Sequence, residues 1–334
     1  METNIRKIFC VILITGLSSG CGSSSKSGLS NLEKNYPESR FLYAVGQGDN
    51  LRDAEKNAIG KLSIIFESKV NVDQTLTENY LEYSDDDVSS LEYKSKTQKR
   101  INLSSNQKLM NVKTGEHFTD ENGTVSVVAY INRLETAFIY EEKIQNNNNT
   151  ILSLEKHSYQ SNQKIVKYAS LNEATHLINE NLGLLKQLSI IGPNTVSYSE
   201  ELDKYNSIKR EKGKIASSII FTFTSNSNEI TNTLSNVLTS ESFRIGKNGD
   251  YNISSSVNFE EVDLGRNEIF YTWEASIKLS EPNGDTIFAF KENGREGGKT
   301  ESAALSRVKF AANQKTSEDF LSHFEEYLNS LVGN

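Results

Sequence analysis

The chain has 334 residues, a formal charge of −8 and a mean hydropathy of −0.52, enough length for two or three domains and a sizeable core. The acidic balance argues against a nucleic-acid partner, because phosphate binding calls for clustered Lys and Arg. Basic residues do gather at Lys94–Arg100 and Lys209–Lys214, but Glu and polar neighbours dilute them, and they read as solvated faces or loops.

Residues 1–21 read METNIRKIFCVILITGLSSGC. Arg6 and Lys7 make a positive start, Ile8–Leu17 is an apolar run, and Ser18, Ser19 and Gly20 are small. That is the layout of an export signal and its cleavage site. The run is too short for the roughly 20 residues that a membrane-crossing helix needs. Small residues directly before Cys21 resemble a bacterial lipobox, in which the chain is cut before the cysteine and the cysteine is acylated. One position departs from that pattern: Ser18 stands where Leu is usual, with Leu17 one step early. The signal layout favours lipidation, with plain secretion as the other reading. Cys10 would leave with the signal, so the mature chain would hold one cysteine, acylated, and no disulfide. Two or three acyl chains, at about 0.8 kcal/mol per buried CH₂, anchor firmly. Gly22–Ser30 (GSSSKSGLS) reads as a flexible tether. Gly22 rather than Asp after the cysteine implies, by the sorting logic of lipoproteins, the outer membrane.

From Pro37 the pattern is that of a folded domain. Phe41–Val45 predicts a short strand, Gly46 and Gly48 a turn, and Asp49 or Asn50 a helix cap. Leu51, Ala54, Ala58, Leu62 and Ile65 fall on one helical stripe, and the two alanines would let the helix sit close to a sheet. Ser68–Asp73 reads as the next strand. Gly46-Gln47-Gly48 evokes a dinucleotide fingerprint, but Leu51 stands where the third glycine belongs, so a tight turn is the better account. Thr75–Lys96 is polar. Its Asp85-Asp86-Asp87 lacks the alternating ligands of a calcium loop. Ile101–Phe118 reads as extended chain, Asp120–Gly123 as a hairpin turn and Thr124–Asn132 as the returning strand.

Pro37, the run Tyr43-Ala-Val-Gly-Gln-Gly48, the helix bearing Asp53, Ala54 and Ala58, the stretch Val70–Val72, and Val128-Ala-Tyr-Ile-Asn-Arg133 together resemble the Lpp-twenty family of bacterial outer-membrane lipoproteins. The resemblance covers about a third of the chain. It implies a surface or envelope lipoprotein, linked in some members to flagellar assembly, with no general catalytic activity.

Beyond Leu134 the period becomes helical. Leu134, Ala137, Phe138, Ile144, Ile151 and Leu152 suggest one long helix, with a break at Asn146–Asn149. Tyr168, Leu171, Ala174, Ile178, Leu182, Leu185 and Leu188 make a second stripe that ends at Gly192-Pro193, where a left-handed glycine cap is expected. The pair reads as packed on itself or as bridging two domains; a coiled-coil partner surface is the sharper alternative. A charged helix follows at Ser199–Lys214, then a strand at Ser218–Thr224, a helix at Glu229–Glu241 and a strand at Tyr251–Val262. Next comes an alternating strand with Tyr271, Trp273, Ala275, Ile277 and Leu279 on one side. Pro282–Asp285 turns the chain, Thr286–Lys291 pairs back, and Glu301–Leu331 is helical, with Ala304, Leu305, Val308, Ala311, Phe320, Leu321, Phe324, Leu328 and Leu331 inward. This order suggests an antiparallel sheet with helices on one face. In element order alone it resembles small envelope domains such as the TolB amino-terminal domain and lipoprotein activators of peptidoglycan synthases.

Asn293-Gly-Arg-Glu-Gly-Gly-Lys-Thr300 looks like a phosphate loop between a strand and a helix. A Walker A loop places four residues between its glycines so that backbone N–H groups wrap a phosphate. Gly294 and Gly298 enclose only Arg295, Glu296 and Gly297, and no strand is expected downstream to supply a magnesium ligand. Thr300 has a simpler task as a helix cap. His117, His157, His176 and His323 are scattered and form no metal spacing. The adjacent pairs Glu200-Glu201 and Glu260-Glu261 offer no acid–base geometry.

The chain thus reads as α+β: two small sheet-plus-helix domains joined by a helical middle segment. The expected divisions are a lipoprotein signal at 1–20, a tether at 21–36, an Lpp-twenty-like domain at 37–133, a helical segment at 134–192 and a C-terminal α+β domain at 197–334. The expected function is non-enzymatic. It is a lipoprotein held to the outer membrane through acylated Cys21, with Ser18, Ser19 and Gly20 flanking the cut, on the periplasmic side or at the cell surface. It would act as a scaffold for a flagellar, secretion or cell-wall complex, with no cofactor and no nucleic acid. Two alternatives stand beside it: an exported enzyme or nucleotide-dependent module using Gly294–Thr300, and a soluble secreted binding protein.

Overall fold

The computed structural model describes residues 31–72, 109–192 and 198–332. They form an α+β fold with seven helices and two sheets. The helices are α1 (Leu32–Asn35), α2 (Leu51–Val72), α3 (Arg133–Gln160), α4 (Lys164–Ile191), α5 (Ser199–Ser218), α6 (Asn228–Ser240) and α7 (Glu301–Val332). The strands are β1 (Phe41–Gly48), β2 (Lys113–Thr119), β3 (Val125–Asn132), β4 (Ile220–Ser225), β5 (Arg244–Ile245), β6 (Tyr251–Val262), β7 (Ile269–Ser280) and β8 (Thr286–Gly298). Two compact units arise. One takes the described residues up to Leu62 with Val112–Tyr130, and the other takes the rest.

The first unit holds a three-stranded sheet in the order β1-β3-β2. β2 and β3 form an antiparallel hairpin. Asp120 Oδ1 accepts from the N–H groups of Asn122 (2.9 Å) and Thr124 (2.8 Å), and Gly123 takes φ +83°, so the expected turn is present. Asn50 Oδ1 accepts from Asp53 N–H (3.0 Å) and caps α2.

Gly46 and Gly48 lie inside β1 and make no turn. They are small because α2 passes directly over them. A Cβ on Gly46 would strike the backbone of Ala54 and Ala58, and one on Gly48 would sit 2.6 Å from Ala54 N. α2 buries Ala54, Ala58, Leu62 and Phe66; Leu51 and Ile65, expected on this stripe, are exposed. Residues 68–72, expected as a strand, continue α2, since Val70 and Val72 fit a helix as readily as an alternating pattern. Asp73, the polar stretch Thr75–Lys96 with its three aspartates, and Ile101–Lys108 lie outside the described residues.

In the second unit α3, α4 and α5 share a core that includes Ile151, Leu154, Leu171, Ala174, Ile178, Tyr205 and Ile208. α3 runs unbroken through Asn146–Asn149. The middle two, Asn147 and Asn148, are held from within. Asn147 Nδ2 donates to Asn181 Oδ1 (2.8 Å), Asn181 Nδ2 donates to Asn148 Oδ1 (3.0 Å) and to the Tyr205 hydroxyl (2.8 Å), and that hydroxyl donates to Asn148 Oδ1. A residue type that weakens a helix in water is retained because three helices converge on its amide. At the other end of the bundle Arg133 Nη1 donates to the carbonyls of Ile190 and Ile191. It satisfies the open C-terminus of α4 and complements its dipole. Gly192 consequently needs no left-handed cap and is extended, at φ −87° and ψ 160°; Pro193 lies outside the described residues.

The five-stranded sheet has the order β5-β4-β6-β7-β8. β6, β7 and β8 are antiparallel, but β4 runs parallel to both β5 and β6. The sheet is therefore mixed, against the antiparallel expectation. The reason is α6: it carries the chain from β4 back across the sheet, so the next strands start from the same end. Tyr271, Trp273, Ala275, Ile277 and Leu279 of β7 are buried as expected. They meet Phe221, Ile253 and Val257 of the sheet, Ile230, Leu234 and Leu238 of α6, Ile165 and Tyr168 of α4, and Ala304, Val308, Phe320, Phe324 and Leu328 of α7. On α7, Ala312 takes the buried position expected of Ala311, and Leu321 is exposed.

Two predictions follow from packing and burial. Gly46→Ala should destabilise the protein by about 3 kcal/mol, because the methyl meets helix backbone that cannot step aside. Gly60→Ala, on open ground in α2, should instead stabilise by up to about 1 kcal/mol; urea unfolding of both variants checks the pair. Tyr140 is buried, donates its hydroxyl to Gln187 Oε1 (2.7 Å) and accepts from Met110 N–H (3.3 Å). Burial pushes its phenol up to about 12. The folded chain keeps a proton that the unfolded chain releases near pH 10, so this contribution is complete below about pH 10 and is lost as pH rises through about 12. Burial raises Tyr205 as well, so Tyr140→Phe should flatten the alkaline loss in part. Urea midpoints at about pH 9 and about pH 11 measure it.

Candidate functional site

The phosphate-loop pattern is where a nucleotide site would have to form, and it is a strand. Asn293–Gly298 belongs to β8 and pairs with β7 throughout, Gly294 opposite Trp273, Arg295 opposite Thr272 and Gly297 opposite Phe270. Its N–H groups follow a sheet edge and cannot converge on an anion. The glycines have a packing cause. Side chains of Trp273 and Phe270 lie across Gly294 and Gly297, and a Cβ on Gly298 would meet the backbone at Ala304. Arg307 Nη1 closes the strand end by donating to Gly297 O (2.9 Å). Thr300 Oγ1 accepts from Ala303 N–H (3.3 Å), the capping role expected of it. Gly46 and Gly48 are accounted for as Gly298 is, by a helix backbone seated on a strand.

The other candidates stay apart. His157 Nδ1 is 2.8 Å from the Ser170 hydroxyl, and His176 is 3.3 Å from Asn172 Nδ2. His323 stacks on Phe290 at 4.9 Å between ring centroids and lies 3.5 Å from Glu326. His117 is on β2. Among the described residues no group of three His, Cys, Asp or Glu side chains could hold a metal ion. Glu200 and Glu201 open α5, where carboxylates complement the helix dipole. Glu260 and Glu261 alternate along β6, opposite Thr272 and Tyr271, on opposite faces of the sheet. The basic run on α5 is tied into the fold. Lys209 donates to Asn179 (2.9 Å), Lys212 pairs with Glu241 (3.5 Å) over the Tyr168 ring, and Lys214 pairs with Glu211 (3.9 Å).

Cys21 and its flank Ser18, Ser19 and Gly20, with Cys10 and the tether Gly22–Ser30, lie outside the described residues, as does Lys94–Arg100. Among the described residues no helix is long and apolar enough to cross a membrane.

One cluster escaped the sequence reading. On the first unit Tyr36 packs against Phe41, Tyr43 and Tyr130, with ring centroids 5.5, 5.7 and 5.0 Å away, and Arg40 sits over Phe41. Burial sets the Tyr36 phenol above its ordinary value; a hydrogen bond with the Glu116 backbone opposes the rise and the Glu116 charge adds to it. The available signal was the alternation of Phe41 and Tyr43 on β1 opposite the small inward residues Ala44 and Gly46. It does not reach Tyr36 and Tyr130, which only the fold brings alongside.

No protein-family model matches the chain, and no curated protein matches it. The Lpp-twenty likeness therefore stays with the residues quoted for it. Among solved structures the chain is similar to a secreted protein of the human pathogen Helicobacter pylori, at 12% identity over 83% of this chain and 96% of that one, with a TM-score of 0.40. It is similar to a minor lipoprotein of Acinetobacter baumannii at 9% identity, over 32% of this chain and 92% of that one, with a TM-score of 0.27. A lipoprotein of Neisseria meningitidis is similar at 13% identity, over 29% of this chain and 96% of that one, with a TM-score of 0.20.

Proposed function

We propose that this chain is an exported envelope lipoprotein that works by position, as a docking module held to a membrane through acylated Cys21. The observation that carries the reading is in residues 1–21: a positive start, the apolar run Ile8–Leu17, and Ser18-Ser19-Gly20 directly before Cys21. Acyl chains would fix one end. The nine residues Gly22–Ser30 reach at most about 30 Å before the first described residue, Asn31. The anchored domain would then be confined to a shell close to the bilayer, on the periplasmic side of the outer membrane or at the cell surface. Partners are proposed to be envelope complexes of the flagellar, secretion or cell-wall kind. Docking would use features the fold leaves open, such as the outer edge of β8, which pairs only with β7 among the described residues.

The test is metabolic labelling with an alkyne palmitate analogue, comparing wild type with Cys21→Ser. Label in the wild type should vanish with the serine, and the serine variant should leave the membrane fraction. An unlabelled wild type found soluble outside the cytoplasm would overturn the anchor and reinstate plain secretion.

A further inference from the structure

Helix α3 keeps a long face out of the core it shares with α4 and α5. Leu134 (76%), Phe138 (67%), Leu152 (45%) and Tyr159 (67%) are exposed, and so are Glu141, Gln145 and Lys156 between them. At 3.6 residues per turn these seven positions share a stripe about 60° wide. Scattered exposed apolar residues need no explanation. Four large ones aligned along a 28-residue helix do call for one.

The order of residues along the stripe selects its occupant. Phe138 to Glu141 is the same three-residue step as Lys156 to Tyr159, and Glu141 to Gln145 the same four-residue step as Leu152 to Lys156. Leu134 has no counterpart within the helix; the other six positions have the same spacing read from either end, which is what a two-fold axis across an antiparallel helix pair demands. In that pairing Phe138 meets Tyr159 of the second copy, ring against ring. Glu141 meets Lys156 of the second copy, and Gln145 meets Leu152. Symmetry makes each contact twice. A parallel pairing would set Glu141 against Glu141 and Lys156 against Lys156, so charge decides the direction as well as the partner. Gln145 Nε2 already donates to Asn149 Oδ1 (3.4 Å), which leaves its stem to pack on Leu152. On the inner side of the same helix Asn147 and Asn148 are locked to Asn181 and Tyr205, so the outer stripe is presented on a helix that cannot rotate.

We infer that α3 is a self-association face, and that the partner it fits is a second copy of this chain, antiparallel and two-fold symmetric about the helix middle. The inference does not depend on acylation, and its test removes lipid from the question. The exported full chain carrying Cys10→Ser and Cys21→Ser should sediment as a concentration-dependent dimer. Glu141→Lys and Lys156→Glu should each weaken the dimer by about tenfold or more, because each places like charges opposite one another twice. The double variant should recover the wild-type affinity. Asn149→Cys, next to the two-fold axis, should form an intermolecular disulfide on mild oxidation, whereas Ser153→Cys, on another face of α3, should not. A chain that remains monomeric at the highest concentration it tolerates would overturn the inference. So would a dimer indifferent to Glu141→Lys, or one cross-linked equally well at either position.

Discussion

The inward row of β7 governs the second unit. Tyr271, Trp273, Ala275, Ile277 and Leu279 can leave water together only if the neighbouring strands present their own apolar residues at the same level and on the same side. The register does this: Ile253 lies opposite Leu279, Val257 opposite Ala275 and Phe259 opposite Trp273 on one flank, and Phe288 opposite Leu279 and Phe290 opposite Ile277 on the other. A slip of one residue would turn the whole row toward solvent. The same requirement fixes what lies above it. α7 places Ala304, Val308, Ala312, Thr316, Phe320, Phe324 and Leu328 at four-residue steps along one face, small near Gly298 and large over Phe288, so helix and strand can run close at one end and diverge at the other. Without a disulfide among the described residues, complementarity of this kind is what holds the unit.

The asparagine interlock answers a different requirement. An all-apolar bundle of α3, α4 and α5 could slide along its axes at little cost, since leucine packs on leucine in several registers. Asn181 fits only where Asn147, Asn148 and Tyr205 meet it, and any shift leaves buried amides unpaired. The price is a helix with four consecutive poor helix formers, offset by bonds that exist in one register alone.

Much of this was legible in the sequence. The bounds of β6, the alternation of β7, the stripe of α4 and the Asp120–Gly123 turn follow from period and turn chemistry, which act locally. What could not be read depends on pairing. β5 has only two residues, too few for a pattern, and the parallel direction of β4 is set by where α6 delivers the chain. Asn146–Asn149 looked like a break because propensity counts solvation and the partners were far away in sequence. Gly294–Gly298 looked like a phosphate loop because glycine is needed both where a ligand approaches the backbone and where a tryptophan does; the string of letters is the same, and only the strand opposite distinguishes them. The reverse holds for Cys21, whose proposed role is carried entirely by the residues before it and owes nothing to folded geometry.

These two kinds of information bear on each other. An acyl chain on Cys21 would hold the protein in a thin layer at a membrane, where local concentration far exceeds that in bulk solution. A helix face such as that of α3, with two aromatic contacts and two exposed ion pairs per dimer, offers modest affinity in water, because surface ion pairs contribute little each. Confinement would let that modest affinity suffice, and pairing would double the number of acyl chains on each particle and slow its departure from the bilayer. The seven-position stripe and the lipobox-like cysteine, each weak alone, would therefore reinforce one another. The expected consequence is that losing either the anchor or the stripe weakens the other's effect.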